Sequence, residues 1–223
     1  MLVIAVLNSK GGVGKTTLSS WLAVWLVTKT SYKRVGIVDY DPQGGAVTWA
    51  EYRRRNNGAE SPEVLHGTDY ASDIIDKLEA TGWDVIVFDG PPGELERSVD
   101  AAEVADLVII PMKPTAQDMD KSGPMINACF KRGVPYLVVL NEAVGVTDRR
   151  ANEIREFLEA AGHPVYSANI VSRVVHRDAT SFGRIATEVK GAPKEAVQEL
   201  DAFCEFVVKK AKASVKIRER RRG

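Results

Sequence analysis

The 223-residue sequence has only two cysteines, Cys129 and Cys204, which lie far apart and outside any C-x-x-C pair. This scarcity argues against a disulfide framework and against a cysteine-ligated zinc site, and it fits a reducing cytoplasm. The three histidines, His66, His163 and His176, are scattered and have no motif around them. We therefore expect them in turns or at the surface, and we expect no histidine-based catalysis.

Long hydrophobic runs are also missing. No stretch of 18 apolar residues occurs, so we expect no transmembrane helix. The start, MLVIAVLNSKGG, has no basic segment before its apolar run, so we expect no signal peptide. Length and a hydrophobic share of 44% favour one globular domain over residues 1–213, followed by a basic tail over 214–223.

The formal net charge is zero, but the charges are unevenly distributed. The last 15 residues, KKAKASVKIRERRRG, hold eight Lys or Arg residues and one Glu, so the preceding 208 residues are acidic overall. A basic end on an acidic body suggests a polyanionic partner, either nucleic acid or membrane lipid. A solvated end that only improves solubility explains the same pattern.

Residues 8–17 read NSKGGVGKTT and follow an apolar run that is typical of a strand. Gly14, Lys15 and Thr16 supply the end of the phosphate-loop pattern G-x-x-x-x-G-K-[ST], although Ser9 stands where the first glycine is expected. In this pattern Lys15 reaches the β- and γ-phosphates and the Thr16 hydroxyl ligates Mg²⁺. Residues 16–27, TTLSSWLAVWLV, predict the helix that must follow, so strand, loop and helix occur in the required order.

Apolar, β-branched runs alternate with helical patterns along the chain. Strands are predicted at 2–7, 34–39, 83–89, 106–111 and 135–141, and helices at 46–56, 70–81, 116–131, 148–161 and 194–213. Residues 53–63 form the most loop-like interior stretch. The alternation predicts an α/β fold of the doubly wound type, with a mostly parallel sheet and helices on both faces.

Polar side chains follow several of these strands. Asp39 and Asp41 end one strand, Asp89 ends another, and Asn141 ends a third. Ligands of doubly wound sheets bind beyond the carboxyl ends of the strands, so these residues are expected beside the phosphate loop. Asp89 is predicted to hold Mg²⁺ through water, and Asp41 is a possible second such residue. Asn141 is either an adenine contact or a structural cap.

Lys10 places a second cation inside the loop. A cation at the γ-phosphate can neutralise charge in the transition state as an arginine finger does. The spacing leaves open whether Lys10 serves its own site or that of a partner.

Three motifs, KGGVGKTT, VDYDPQG and VIVFDGPP, together resemble the ParA family of partition ATPases, in the deviant Walker A class that includes MinD. The resemblance implies that Lys10 crosses an ATP-sandwich homodimer to the partner's nucleotide and that Asp41 positions the attacking water. The catalytic residues would then be Lys10, Lys15 and Asp41. The residues expected to bind ATP are Lys10, Gly11, Gly12, Val13, Gly14, Lys15, Thr16, Thr17 and Asn141.

In that family the ATP-bound dimer binds DNA without sequence preference, and a ParB-like or adaptor protein stimulates hydrolysis. The resemblance therefore implies a nucleoid-associated state and a role in positioning a plasmid, a chromosome or another cargo. The motif begins at residue 8, which leaves no room for a preceding helix-turn-helix domain and suggests the small, ParF-like type. The candidate DNA-binding residues, each of which fits a surface ion pair equally well, are Arg173, Arg177, Arg184, Lys209, Lys210 and Lys212.

Two other functions remain open. A MinD-like membrane-cycling ATPase needs a terminal helix with large apolar residues on one face, whereas SVKIRERRRG offers only Val215 and Ile217. An ATP-dependent metabolic ligase on the same fold would need a small-substrate pocket that the sequence does not reveal.

Overall fold

The computed structural model describes the backbone of residues 1–222 and the side chains of residues 1–215. The strands are Leu2–Val6 (β1), Val35–Asp39 (β2), Glu63–His66 (β3), Val85–Asp89 (β4), Leu107–Met112 (β5) and Tyr136–Leu140 (β6). The helices are Lys15–Lys29 (α1), Gly45–Asn57 (α2), Ala71–Ala80 (α3), Leu95–Val104 (α4), Ala116–Arg132 (α5), Arg149–Ala160 (α6), Val174–Ser181 (α7) and Lys194–Arg222 (α8). A short 3₁₀ helix spans Ala186–Glu188.

The strands form one parallel sheet in the order β3-β2-β4-β1-β5-β6. From β1 the chain passes to β2 and to β3 at one edge, returns to β4 beside β1, and then passes to β5 and to β6 at the other edge. This order confirms the predicted doubly wound α/β fold. In the register of the central strands, Val6 and Asp39 both pair with Asp89. The carboxyl ends of β1, β2 and β4 therefore lie side by side.

Two hydrophobic cores cover the two faces of the sheet because successive side chains of a strand point to opposite faces. In β1, Ile4 belongs to the core shared with α1 and α8, whereas Val3 and Ala5 belong to the core shared with α4 and α5. The buried aromatic residues of the first core are Trp21, Trp49, Tyr166 and Phe203. This burial on both faces explains why the central strands are almost continuously apolar in sequence.

The elements missing from the sequence prediction are short or lie at an edge. The strand β3 has four residues and is exposed in part, and α4 and α7 have ten and eight residues. The predicted loop over 53–63 was wrong at both ends, because α2 continues to Asn57 and β3 begins at Glu63. Short amphipathic segments carry too few apolar residues for their period to be recognised.

The last helix runs through the predicted boundary after residue 213. The side chains of 216–222 and all of Gly223, which make up most of the predicted tail, lie outside the described residues. The division into a domain over 1–213 and a tail over 214–223 therefore stays a prediction. Within residues 1–222, no helix combines the length and the apolar character needed to cross a membrane.

A buried arginine joins α2 to the segment before α8. Arg53 is 5% exposed and donates to both carboxylate oxygens of Glu188 at 2.8 Å and to the carbonyl of Gly183 at 3.0 Å. Gly183 has φ +70°, and a Cβ placed on it would lie 2.1 Å from the backbone nitrogen of Arg53. Only glycine therefore fits at this contact.

We expect Gly183→Ala to lower the free energy of unfolding by about 3 kcal/mol or more, since left-handed strain adds to overpacking. The matched control is Gly191→Ala. Gly191 has φ +78°, but a Cβ placed on it would meet no atom of the described residues within 4 Å, its chain neighbours aside. The control should lose only about 1–2 kcal/mol. Urea unfolding measures both values, and equal losses would show that the close approach to Arg53 is unimportant.

Candidate nucleotide-binding site

Two asparagines from strand ends hold the loop between β1 and α1. Asn8 is fully buried; its Nδ2 donates to Pro111 O and to Ser122 Oγ, both at 2.7 Å, and its Oδ1 accepts from the Lys10 N–H at 3.0 Å. Asn141 Nδ2 donates to the carbonyl of Val13 at 2.7 Å. The role of Asn8 has no signal in the sequence, because both of its distant partners come from segments more than 100 residues away.

Gly14 is the N-cap of α1 and has φ +90°, and a Cβ on it would lie 2.2 Å from Asn141 Nδ2. The requirement for glycine here is thus both conformational and steric. Since α1 starts directly after Gly14, its free N–H groups and the positive end of its dipole face the loop. This arrangement favours an anion in the loop.

Lys15 is 7% exposed, and its Nζ donates to the carbonyl of Lys10 at 3.1 Å. Burial lowers the pKa of the Lys15 ammonium, while the charges of Asp89 and Asp41 act to raise it. A buried ammonium that bonds to a neutral carbonyl is poorly compensated. A polyphosphate in the loop would supply the missing negative charge.

Thr16 and Ser19 bind the carboxylate of Asp89, which is 1% exposed at the end of β4. Thr16 Oγ1 donates to Oδ2 at 2.6 Å and Ser19 Oγ donates to Oδ1 at 3.1 Å. Burial is the main cause that raises the pKa of Asp89 to about 7, and these two hydrogen bonds act against it. Ser19 was not predicted, although it lies one helical turn after Thr16 on the same face.

Asp39 and Asp41 differ in their surroundings. Asp39 is fully buried and accepts from the backbone N–H of Val47 at 2.9 Å and of Asp41 at 3.2 Å. Burial raises its pKa despite these bonds. Asp41 is half-buried, accepts from the Gln43 N–H at 2.9 Å and is close enough to influence the charge on Lys15. Asp39 therefore orders the turn that carries Asp41 towards the loop.

The donors at this site fit a magnesium ion held mostly by phosphate oxygens and water. Within the described residues, no group of three or more His, Cys, Asp or Glu side chains could hold a metal ion. Mg²⁺ in nucleotide sites commonly takes one or two protein ligands and keeps several waters. The Thr16 hydroxyl, which is bonded to Asp89, would be one such protein ligand. The assignment of Thr16 and Asp89 to Mg²⁺ stays a prediction, and it fits this geometry.

A small cavity borders the end of the loop, and several predicted residues line it. They include Gly14, Thr17 and Asn141, together with Arg173 and Arg177, which were predicted to bind DNA. His176 also lines the cavity and is only 5% exposed. The expectation of a turn or surface position for His176 was wrong, because α7 was not recognised and it turns this residue towards Trp21, with 4.3 Å between the ring centroids.

The structure does not gather the six predicted DNA-binding cations on one surface. Arg173 and Arg177 lie at the cavity, and Arg184 donates to Asn57 Oδ1. Lys210 lies near the start of β6, and Lys212 sits 5.0 Å above the ring of Tyr32. Lys209 and Lys212, three residues apart, therefore share a face in the second half of α8, whereas Lys210 lies on another side of that helix.

The raised pKa of Asp89 predicts how stability changes with pH. An unfolded aspartate has a pKa of about 3.9, so folded Asp89 binds its proton more tightly, and its contribution is largest at low pH and is lost as pH rises through about 7. In EDTA, the stability of wild type minus that of Asp89→Asn should fall by up to about 4 kcal/mol between pH 4 and pH 8.

Urea unfolding across this range measures the difference. Asp84→Asn is the control, because hydrogen bonds from the backbone N–H groups of Arg34 and Lys33 lower the pKa of Asp84 below its ordinary value. The contribution of Asp84 is gained below about pH 4 and should therefore change little between pH 4 and pH 8. A difference for Asp89→Asn that does not change with pH would contradict the burial argument.

Comparison with known proteins agrees with this geometry. Residues 1–81 match a family described as an AAA domain. The chain is 32% identical to the maintenance of carboxysome distribution protein A of Gloeobacter kilaueensis, over 89% of this chain and 94% of that protein. It is 29% identical to the protein of the same name from Halothiobacillus neapolitanus, over 92% and 95%. It is 28% identical to the chromosome-partitioning ATPase Soj of Thermus thermophilus, over 81% and 85%.

Solved structures show the same fold at lower identity. A plasmid partition protein of Borrelia burgdorferi bound to AMPPNP superposes with a TM-score of 0.69 at 17% identity, over 94% of this chain and 99% of that one. A chain of the MinC:MinD cell division protein complex of Aquifex aeolicus gives a TM-score of 0.72 at 17% identity, over 94% of this chain and 96% of that one. The sequence similarity along the whole chain, joined to the phosphate loop and its buried aspartate, leads to one conclusion: the chain belongs to the ParA/MinD family of ATPases.

Proposed function

We propose that this chain binds ATP with Mg²⁺ at the phosphate loop and hydrolyses it to ADP and phosphate. The observation that carries the proposal is the arrangement around Asp89, where Thr16 from the loop is already bonded to the aspartate at 2.6 Å and Lys15 is buried beside them. Relatives of this fold have been solved with AMPPNP, ATP and Mg-ADP, which supports the same class of ligand here.

In the proposed mechanism each residue has one task. The N–H groups of the loop and the Lys15 ammonium bind the phosphates and stabilise negative charge as it shifts during transfer. Thr16 and, through water, Asp89 would hold Mg²⁺, which neutralises phosphate charge when bound. Asp41 orients the attacking water, since its carboxylate is half-buried and close to Lys15. Lys10 comes from a second copy of the chain, which makes the active form an ATP-bound homodimer.

We further propose that the ATP-bound dimer binds DNA non-specifically and positions a cargo through a partner that stimulates hydrolysis. Lys209 and Lys212 in the second half of α8, with the basic residues that follow in sequence, supply cations for phosphate contacts. Two of the relatives are named for the distribution of carboxysomes and one for chromosome partitioning. These names favour a positioning role over a metabolic ligase, with a protein compartment or DNA as the class of cargo.

Asp41→Ala and Lys15→Ala should separate binding from chemistry. Asp41→Ala should keep ATP affinity but lower the hydrolysis rate by about a hundredfold or more, because water is no longer oriented. It should accumulate as a dimer with ATP on size exclusion. Lys15→Ala should weaken ATP binding by roughly 10–100-fold, as expected for the loss of a charged hydrogen bond. An Asp41→Ala protein that hydrolyses ATP at the normal rate would remove the role assigned to Asp41.

The DNA proposal is tested by retention of plasmid DNA with ATP, with ADP and without nucleotide. Wild type should be retained with ATP only, and the affinity should fall roughly a hundredfold between 50 and 200 mM salt if about four phosphates are contacted. Lys10→Ala should lose retention because its dimer does not close, whereas Lys29→Ala, at the exposed end of α1, should behave as wild type. Retention that ignores nucleotide and salt would contradict the proposal, and ATP-dependent sedimentation with anionic vesicles would favour the membrane alternative.

A further inference from the structure

The cavity beside the phosphate loop lies where the nucleoside end of a bound nucleotide must extend. Gly14 and Thr17 belong both to the loop region and to the cavity wall, which is completed by Trp21 from α1 and by Arg173 and His176. The cavity measures about 50 Å³, which is room for a few water molecules. A base ring is larger than this, so a base would enter only with an outward movement of the rim, of which the exposed side chain of Arg177 forms part.

Several nitrogen atoms at this cavity lack hydrogen-bond partners within the described part of the chain. They are both ring nitrogens of His176, Nε1 of Trp21 and Nε of Arg173. His176 is 5% exposed and Trp21 is 1% exposed, so water does not readily satisfy them. Of these atoms, His176 Nε2 and Arg173 Nε lie within ion-pair distance of a carboxylate oxygen of Glu199, which leaves His176 Nδ1 and Trp21 Nε1. Buried polar groups in native proteins are nearly always hydrogen-bonded, and two such exceptions at one cavity indicate a ligand.

Glu199 of α8 orients the polar side of this cavity. Its Oε2 accepts from the Val171 N–H at 3.2 Å, and its Oε1 lies 3.5 Å from His176 Nε2 and 3.6 Å from Arg173 Nε. A carboxylate only accepts hydrogen bonds, so the His176 proton belongs on Nε2, facing Glu199. In the neutral imidazole this leaves Nδ1 as an acceptor.

We propose that His176 contacts the base of the bound nucleotide and that Glu199 positions His176 for this contact. This inference rests on the proposed function, because the phosphate loop must first seat the triphosphate. Adenine carries an exocyclic amine that donates a hydrogen bond, whereas guanine carries a carbonyl oxygen at the corresponding position. Nδ1 as an acceptor therefore selects adenine and repels guanine. Trp21 limits the orientation of the imidazole, because the two rings pack at 4.3 Å.

The test compares ATP, GTP and tripolyphosphate, each with Mg²⁺, by calorimetric titration of the full chain. His176→Phe keeps an aromatic ring against Trp21 but removes both nitrogens. It should bind ATP about tenfold more weakly, as one lost hydrogen bond predicts, and should lose the preference for ATP over GTP. Its affinity for tripolyphosphate, which has no base, should stay unchanged. His176→Asn, whose amide oxygen can replace Nδ1 as an acceptor, should restore part of the preference.

Glu199→Gln should lower the preference for ATP over GTP in the same way, because the amide can pair with either tautomer of the imidazole. Asp178→Asn, on the exposed side of α7, is the matched control and should leave all three affinities unchanged. Unchanged ATP and GTP affinities in both His176→Phe and Glu199→Gln, with tripolyphosphate still bound, would overturn the inference alone. A wild-type chain that binds neither ATP nor tripolyphosphate would overturn the proposed function and this inference together.

Discussion

The hydrogen bond from Thr16 to Asp89 joins the first turn of α1 to the end of β4, and the geometry of the whole site depends on it. Asp89 pairs across the sheet with Val6 and with Asp39, so the phosphate loop and both acidic strand ends share one register. A slip of one residue would turn each of these side chains to the other face of the sheet. Continuous apolar packing on both faces of the central strands prevents such a slip.

The same site holds charges that are poorly placed for stability. Burial lowers the pKa of Lys15 and raises the pKa of Asp39 and of Asp89, so each group is driven towards its neutral form. A ligand that brings phosphate and a divalent cation would compensate both signs of charge at once. Ligand binding to the folded state would therefore add to stability as well as begin the chemistry. A local loss of stability of this kind is common at functional sites, and the packing of the two hydrophobic cores offsets it.

Helix α8 extends from the cavity beside the phosphate loop towards the amino ends of the central strands. Glu199 near its start contacts His176 at the cavity beside the loop, and Lys212 lies on Tyr32 near the amino ends of the central strands β1 and β4. The two residues are separated by about 20 Å at 1.5 Å per helical residue. Between them, Phe203 and Val207 are fully buried in the core that α8 shares with α1. Because α8 is packed in this way, the distance between the cavity and Lys212 is fixed.

The sequence alone determined the phosphate loop, the doubly wound class and five of the six strands, because these depend on local glycine chemistry and on unbroken apolar runs. It did not reveal β3, α4 or α7, whose short amphipathic patterns need neighbours to become stable. It also held no sign of the roles of Asn8 and His176. Asn8 acquires its role only when β5 and α5 arrive beside β1, and His176 only when α7 packs on α1. Hydrogen bonds and ring contacts between distant segments have no local signature, so only the tertiary structure decided them.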